Sequence, residues 1–240
     1  MMDAAFIRTS LMLGPDAMER LRQSRVCVFG IGGVGGHVVE VLARSGVGAI
    51  DLVDADVVDI TNLNRQIIAL RSTVGRPKVE VAAERIRDIN PACQVTPHRM
   101  FYLPENAESI DLAAMDYVVD CIDTMTAKLD IVRRCHEHGI PVISSMGTAR
   151  KLQPELLRVS DITKTHTDPL ARVLRRKLRE MGIPHLKCVW STEAPCPCPP
   201  DTPLPSNAFV PATAGLLLGS EVIRDLCSSM TFIQNKSQVL

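Results

Sequence analysis

Two rhythms of apolar residues alternate along most of this chain. Residues 26–29 (VCVF) form an unbroken β-branched and apolar run, as a strand buried on both faces requires. Val34, Val38, Val41 and Leu42 then recur at the spacing of one helical face, and Gly46 stands where that helix would stop. A second strand is predicted at 49–53, followed by a polar stretch with loop character at 59–64. Pro77 sits at the first turn of a predicted helix running to about residue 90, with Val79, Ala82, Ala83, Ile86 and Ile89 on its apolar face. Further strands are expected at 93–97, 117–122 and 140–144, with a helix at 125–138 ended by Gly139. Ahead of all these, residues 11–22 suggest one short helix with Pro15 near its start.

Strand and helix alternate throughout residues 25–145. That order predicts an α/β fold, a doubly wound, mainly parallel Rossmann-like sheet. Beyond residue 150 the rhythm changes. A strand is expected at 156–159 and an amphipathic helix at 169–181. Residues 195–205 (PCPCPPDTPLP) hold six prolines in eleven positions and must be an extended loop. A closing helix is expected at 212–226 and a frayed end over the last dozen residues. There are no repeats, so we expect a single domain: a nucleotide-binding core at about 25–150 and a C-terminal extension at about 151–230.

Composition narrows the function classes. The 240 residues suit one large α/β domain. They are 46% hydrophobic but only 3% aromatic, so the core must rest on Val, Ile, Leu, Ala and Met. Lys plus Arg equals Asp plus Glu at 27 each, and no global field points to nucleic acid or membrane; a local basic patch stays open. No stretch reaches 18 uncharged apolar residues, and the first ten residues lack the apolar run of a secretory signal. The eight cysteines are scattered, with Cys27 and Cys121 inside predicted strands as buried reduced thiols. A cytoplasmic protein without a membrane segment is expected.

The chemistry starts at Gly30, Gly32 and Gly35, a G-x-G-x-x-G that follows the first strand and opens the first long helix. Such glycines allow a tight turn, close approach of backbone to phosphate, and close helix–sheet packing. The helix N-terminus offers free N–H groups to a phosphate. Asp54, about twenty residues on, is placed to accept ribose hydroxyls. Four further features follow: Asn62, Asn64, Arg65 and Gln66 in NLNRQ; Lys78 beside Pro77; Asp120 and Asp123 in DCID; and Arg8 near the N-terminus. Taken singly, Arg65 and Lys78 would read as surface charges and Asp123 as a helix cap. In this order after one glycine loop, the two cations suit a triphosphate and Asp123 suits magnesium, which takes one or two carboxylates plus phosphates and waters. A nicotinamide enzyme would need none of these.

The order GIGGVG, LVDAD, NLNRQ, Pro77-Lys78 and DCIDT resembles the adenylyltransferases related to ubiquitin-activating enzymes, the ThiF/MoeB/HesA superfamily. Finer stretches (FIRTSLMLG, DCIDTMTAK, VSDITKTHTDPLA and WSTE) resemble one branch, the dehydratases acting on threonylcarbamoyladenosine in tRNA. The resemblance implies that ATP adenylates the carboxylate of the threonylcarbamoyl group, after which a nitrogen of the same group closes a ring and expels AMP. It also implies residue roles. Gly30, Gly32, Gly33 and Gly35 would hold phosphates, and Asp54, with Asp56 in the same LVDAD run, the ribose side. Asn62, Arg65 and Lys78 would hold the triphosphate, and Asp123 the magnesium. Arg8 would reach a partner's phosphates across a homodimer. Arg8, Arg65, Lys78 and Asp123 are thus the expected catalytic set. A sulfur-transfer or redox partner is left open.

Two departures matter. Cys196 and Cys198 are separated by one proline and no CxxC exists, so no zinc is expected. Ser206 and Asn207 stand where some relatives carry a cysteine, which argues against thiol transfer. On the tRNA side, Arg172, Arg175, Arg176 and Arg179 share one helical stripe that could track phosphates, or could simply face solvent. The alternative substrate is the C-terminal carboxylate of a small ubiquitin-like or sulfur-carrier protein.

Overall fold

The computed structural model describes residues 3–199 and 202–228. Their elements run α1 (Ile7–Leu13), α2 (Pro15–Gln23), β1 (Arg25–Phe29), α3 (Gly35–Arg44), β2 (Ala49–Val53), α4 (Lys78–Ile89), β3 (Gln94–His98), β4 (Tyr117–Asp120), α5 (Met125–His138), β5 (Val142–Ser145), β6 (Leu157–Asp161), α6 (Pro169–Glu180), β7 (Lys187–Ser191) and α7 (Val210–Cys227). The strands form one sheet in the order β3-β2-β1-β4-β5-β7-β6. Every pairing is parallel except β6 with β7. The expected doubly wound, mainly parallel α/β fold is the observed one.

Strand periodicity explains how both faces are covered. Along β1, Val26 and Val28 point to one side and Cys27 and Phe29 to the other, and all four are fully buried. The first pair packs with Leu42 of α3, Ile86 of α4 and Val222 of α7. The second packs with Ala127, Ile131 and Cys135 of α5 and with Ile110 and Leu112 from a stretch of 3-10 turns. A third cluster lies in the extension, where Leu174 and Leu178 of α6 meet Ile162, Cys188 and Trp190. Pro97 is accommodated because β3 is an edge strand, where a missing N–H costs no ladder bond on the open side.

Three expectations needed correction. The helix expected at 11–22 is two helices, because Gly14 adopts φ 85° and ψ 161° and Pro15 opens a new helix there. The strand expected at 117–122 ends at Asp120, so Cys121 to Asp123 leave the sheet as a loop. The sequence reading missed β7, which inserts between β5 and β6. Its first residue, Lys187, looks too polar for an interior strand, but its ammonium is held by Asp225 at 2.8 Å and Glu221 at 2.8 Å on α7. The frayed end expected over the last dozen residues lies outside the described residues.

Candidate active site

The connections from β1 run outward in both directions, leaving a crevice between the carboxyl ends of β1 and β4, where doubly wound sheets take ligands. A cavity of about 480 Å³ opens there. Gly30 turns the chain out of β1 with φ 83°, and a Cβ on it would lie 2.9 Å from the carbonyl oxygen of Cys121. A Cβ on Gly35 would stand 1.8 Å from the carbonyl oxygen of Gly30, so α3 can start hard against the strand end only without one. Gly32 and Gly33 line the cavity.

Most polar side chains of the cavity are anchored in the protein. Asp54 accepts from the Ile31 N–H at 2.7 Å and the Asp56 N–H at 2.9 Å, tying the end of β2 to the glycine loop. Asn62 accepts from the Asp59 N–H at 3.1 Å. Arg65 donates to the Thr61 carbonyl at 3.0 Å and to Asn64 at 2.9 Å. Lys78 is buried at the start of α4, with its ammonium 2.7 Å from the exposed carboxylate of Asp56. Asp123 is exposed at the lip and has no hydrogen-bond or ion-pair partner among the described residues. The structure therefore brings Gly30, Gly32, Gly33, Asp54, Asp56, Asn62, Arg65, Lys78 and Asp123 to one cavity, with Gly35 packed beneath it. Cys121 also lines it, but burial and the adjacent Asp120 carboxylate push its thiol well up, so it stays protonated and a poor nucleophile.

Arg8 is exposed on α1 and does not line the cavity of its own chain. Nor do the four arginines of α6. Arg172, Arg176 and Arg179 are exposed, whereas Arg175 donates to the Thr165 carbonyl at 2.7 Å and pins the turn ahead of α6. The stripe is therefore three exposed cations and one committed one.

Sequence reasoning named Asp120 but missed how the walls are held. Lys128 and Asp120 form a fully buried pair at 2.6 Å, and the Lys128 ammonium also donates to Ser144 and to the Ser145 carbonyl. Asp120 in turn accepts from the Ile122 N–H, fixing the loop that ends in Asp123. On the opposite wall, residues 147–149 continue from β5. Lys151 and Asp168 form a second buried pair at 2.9 Å there. Lys151 also donates to the Gly147 carbonyl, and Asp168 caps α6 through the Ala171 N–H. Glu193 accepts from the Leu152 and Gln153 N–H groups. Lysines eight or seventeen residues from their carboxylates carry no signal in the sequence that would pair them.

Residues 6–234 match the ThiF family. The chain belongs to that family. It is similar to the tRNA threonylcarbamoyladenosine dehydratase of Bacillus subtilis, 46% identical over 238 residues, which cover 92% of this chain and 94% of that one. Its fold is similar to crystal structures of the Escherichia coli tRNA N6-threonylcarbamoyladenosine dehydratase. With AMP bound the TM-score is 0.88 at 36% identity, covering 95% of this chain and 98% of that chain. With ATP bound it is 0.85 at 37%, covering 94% of each. The Escherichia coli molybdopterin-synthase adenylyltransferase is similar at 34% over 169 residues, 70% of this chain and 65% of that one. Within the family, the chain is thus more similar to these dehydratases than to that adenylyltransferase, as the motifs implied.

Proposed function

We propose that this ThiF-family enzyme uses ATP to dehydrate threonylcarbamoyladenosine in tRNA through an acyl-adenylate. The observation that supports this most is likeness to dehydratases along nearly the full length of both chains, converging on a cavity with a glycine loop, Arg65, Lys78 and Asp123. The carboxylate oxygen of the threonylcarbamoyl group attacks the α-phosphorus of ATP and pyrophosphate departs. A nitrogen of the same group then bonds to the activated acyl carbon, the acyl–oxygen bond breaks, and AMP leaves with the bonding pair. Counted from the neutral acid, the nucleoside loses the carboxyl OH and the hydrogen of the nitrogen, one water in all, and the lost oxygen leaves on AMP. Hydroxide is a poor leaving group and AMP a good one, which is why the activation is needed.

Arg65 and Lys78 are assigned to the charge that builds on the phosphates, since preorganised cations in a shielded site stabilise such charge without reorganising. The cavity wall carries three carboxylates, Asp54, Asp56 and Asp123, against those two cations. A triphosphate would be held better there with further positive charge. Two sources fit. The free carboxylate of Asp123 at the lip suits magnesium, which would screen the phosphates when bound. Among the described residues no group of three His, Cys, Asp or Glu side chains is placed to hold a metal by itself. The second source is Arg8 of another copy, because Arg8 is exposed and away from its own cavity. We therefore assign a homodimer. Mixing inactive Arg8→Ala with inactive Lys78→Ala protein should restore activity through hybrid sites; no recovery where subunits demonstrably exchange rules out action in trans.

We assign the tRNA surface to Arg172, Arg176 and Arg179 on α6, and the compartment to the cytoplasm. No described helix is long and apolar enough to cross a membrane. A sulfur-transfer or redox partner rests on the resemblance alone. The test is direct: incubate threonylcarbamoyladenosine-bearing tRNA with enzyme, ATP and magnesium, then digest for mass spectrometry. Loss of one water from the modified nucleoside is expected. An unchanged mass, with a known dehydratase active in parallel, would return the carrier-protein carboxylate as substrate, a reading the similarity to the molybdopterin-synthase enzyme keeps in view.

A further inference from the structure

One end of the cavity is apolar. Six of its lining residues, Phe29, Val53, Met100, Tyr102, Ile122 and Ala127, pack together in one cluster on the α5 side of the sheet. Phe29 and Tyr102 meet edge to face, with ring centroids 4.8 Å apart. The Tyr102 hydroxyl is already engaged inside the protein: it donates to Asp130 at 2.8 Å and accepts from Arg134 at 3.2 Å. Phe101 stands between Met100 and Tyr102 in the chain yet is 57% exposed, and it too lines the cavity. Among the described residues the exposed aromatic side chains are Phe101 and Phe209, and Phe209 does not line the cavity. An uncovered ring beside an apolar recess marks a groove that a flat, apolar-faced group completes.

Val53 and Phe29 are the last residues of β2 and β1, directly ahead of Asp54 and Gly30. On the reading proposed above, Asp54 serves the ribose and the glycine loop the phosphates, so the base of ATP is the flat group that falls at the apolar end. A purine has two apolar faces and a polar edge. Stacking engages the faces, whereas reading the edge needs free donors or acceptors. The six clustered residues and Phe101 present no free side-chain hydroxyl, amide or charge. We infer that Phe101 is a specificity-determining residue that stacks on the base, and that the edge of the base goes unread by side chains at this end. Phe101 thus sets a preference for a large flat purine, and the exocyclic amino group of adenine adds little. The inference rests on the ATP half of the proposed function and holds whichever carboxylate is activated.

The two modes of recognition differ by orders of magnitude. A site built to hydrogen-bond a substrate group rejects the analogue lacking it by on the order of 10⁴–10⁵, whereas a stacked base tolerates the change and loses about tenfold in affinity when the ring is removed. The experiment measures binding by titration calorimetry with magnesium and without tRNA, so its failure and failure of the proposed dehydration are read separately. The probes are ATP, purine riboside triphosphate, which lacks the amino group, UTP and inorganic tripolyphosphate. Wild type should bind purine riboside triphosphate within about threefold of ATP, and UTP about tenfold or more weakly. Phe101→Ala should weaken ATP and purine riboside triphosphate alike, by about tenfold, and leave tripolyphosphate unchanged. It should melt like wild type because the ring is exposed. Phe101→Trp should keep the affinity for ATP. Unchanged ATP affinity in Phe101→Ala, or tripolyphosphate weakened as much as ATP, would overturn the stacking. A loss of about a hundredfold or more on removing the amino group would overturn the unread edge and give base selection to a polar group such as Thr124, which also lines the cavity.

Discussion

The two walls of the cavity are built by different means. On the nucleotide wall, backbone geometry does most of the work: Gly30 at φ 83°, Gly35 in contact with the strand end, and Asp54 bonded to the Ile31 and Asp56 N–H groups. These features depend on neighbours close in sequence, or on a strand and the helix that follows it. On the wall that runs from β5 to α6, the chain from Gly147 to Gln153 is held by its own Lys151 and by Asp168 and Glu193, buried charges brought from distant segments. Arg150, at the centre of this strap, is the non-glycine residue at positive φ among those described, at 61°. The Arg150 N–H and carbonyl bond to Pro205 and Cys196, which over-determines a conformation otherwise costly for a side chain. The wall we assign to the nucleotide is thus built from a local motif, while the side we assign to the acceptor depends on desolvated pairs.

The largest expected effects come from the two buried pairs, which test whether the walls are separable. Lys128→Met and Lys151→Met each leave a buried carboxylate without its counter-charge, and such losses cost about 3–5 kcal/mol of stability. Chemical denaturation should show comparable losses in both. Their functions should diverge: the Lys128 variant, whose pair fixes the loop ending in Asp123, should lose ATP affinity, and the Lys151 variant tRNA affinity. Equal loss of ATP affinity in both would erase the distinction between the walls.

Within the nucleotide wall, Lys78→Ala and Asp123→Ala should each lower ATP–pyrophosphate exchange by on the order of 10²–10³. Asp123 is exposed and unpartnered, so its variant should melt like wild type. Exchange near the wild-type rate in either variant would remove that residue from the phosphate site. Smaller effects are expected on α6. Changing Arg172, Arg176 and Arg179 to Gln should reduce the salt dependence of tRNA binding, by about one unit of slope or somewhat less for each phosphate no longer neutralised, with ATP binding intact. Arg175→Gln should instead lower stability, because its guanidinium pins Thr165. An unchanged salt slope in the triple variant would show these cations to be merely solvated.

The smallest effect is alkaline. Burial pushes the thiol of Cys93 up to about 11 and those of Cys135 and Cys188 up to about 12. As pH rises above about 9 the unfolded chain releases these protons first, so it binds fewer than the folded chain and stability falls. The decline should run from about pH 9 toward 11 or 12 and be absent below. Cys188→Ala, in β7, and Cys135→Ala, in α5, should each flatten part of it, which apportions the effect between the extension and the core. Melting temperatures that hold steady from pH 8 to 10.5 would contradict it.

What local sequence determined is clear from particular residues. The β1–glycine loop–α3 unit, Asp54 at the end of β2, the helix after Pro77 and the stop at Gly139 were all legible, because strand and helix periods and positive-φ glycines are properties of a few consecutive positions. Residues brought to the cavity from NLNRQ and DCID were also named, since their order along a doubly wound chain implies the same sheet edge. Tertiary structure alone decided the rest. Lys187 could begin an interior strand only because α7 brings Asp225 and Glu221 to it. Arg175 left the basic stripe because Thr165 folds back beneath it. Gln66 became a buried, unpaired amide, and Lys128 and Lys151 found carboxylates in the interior. The consequence of a charged or polar side chain depends on whether water or a partner surrounds it, and desolvation is set by segments that the linear order does not bring together.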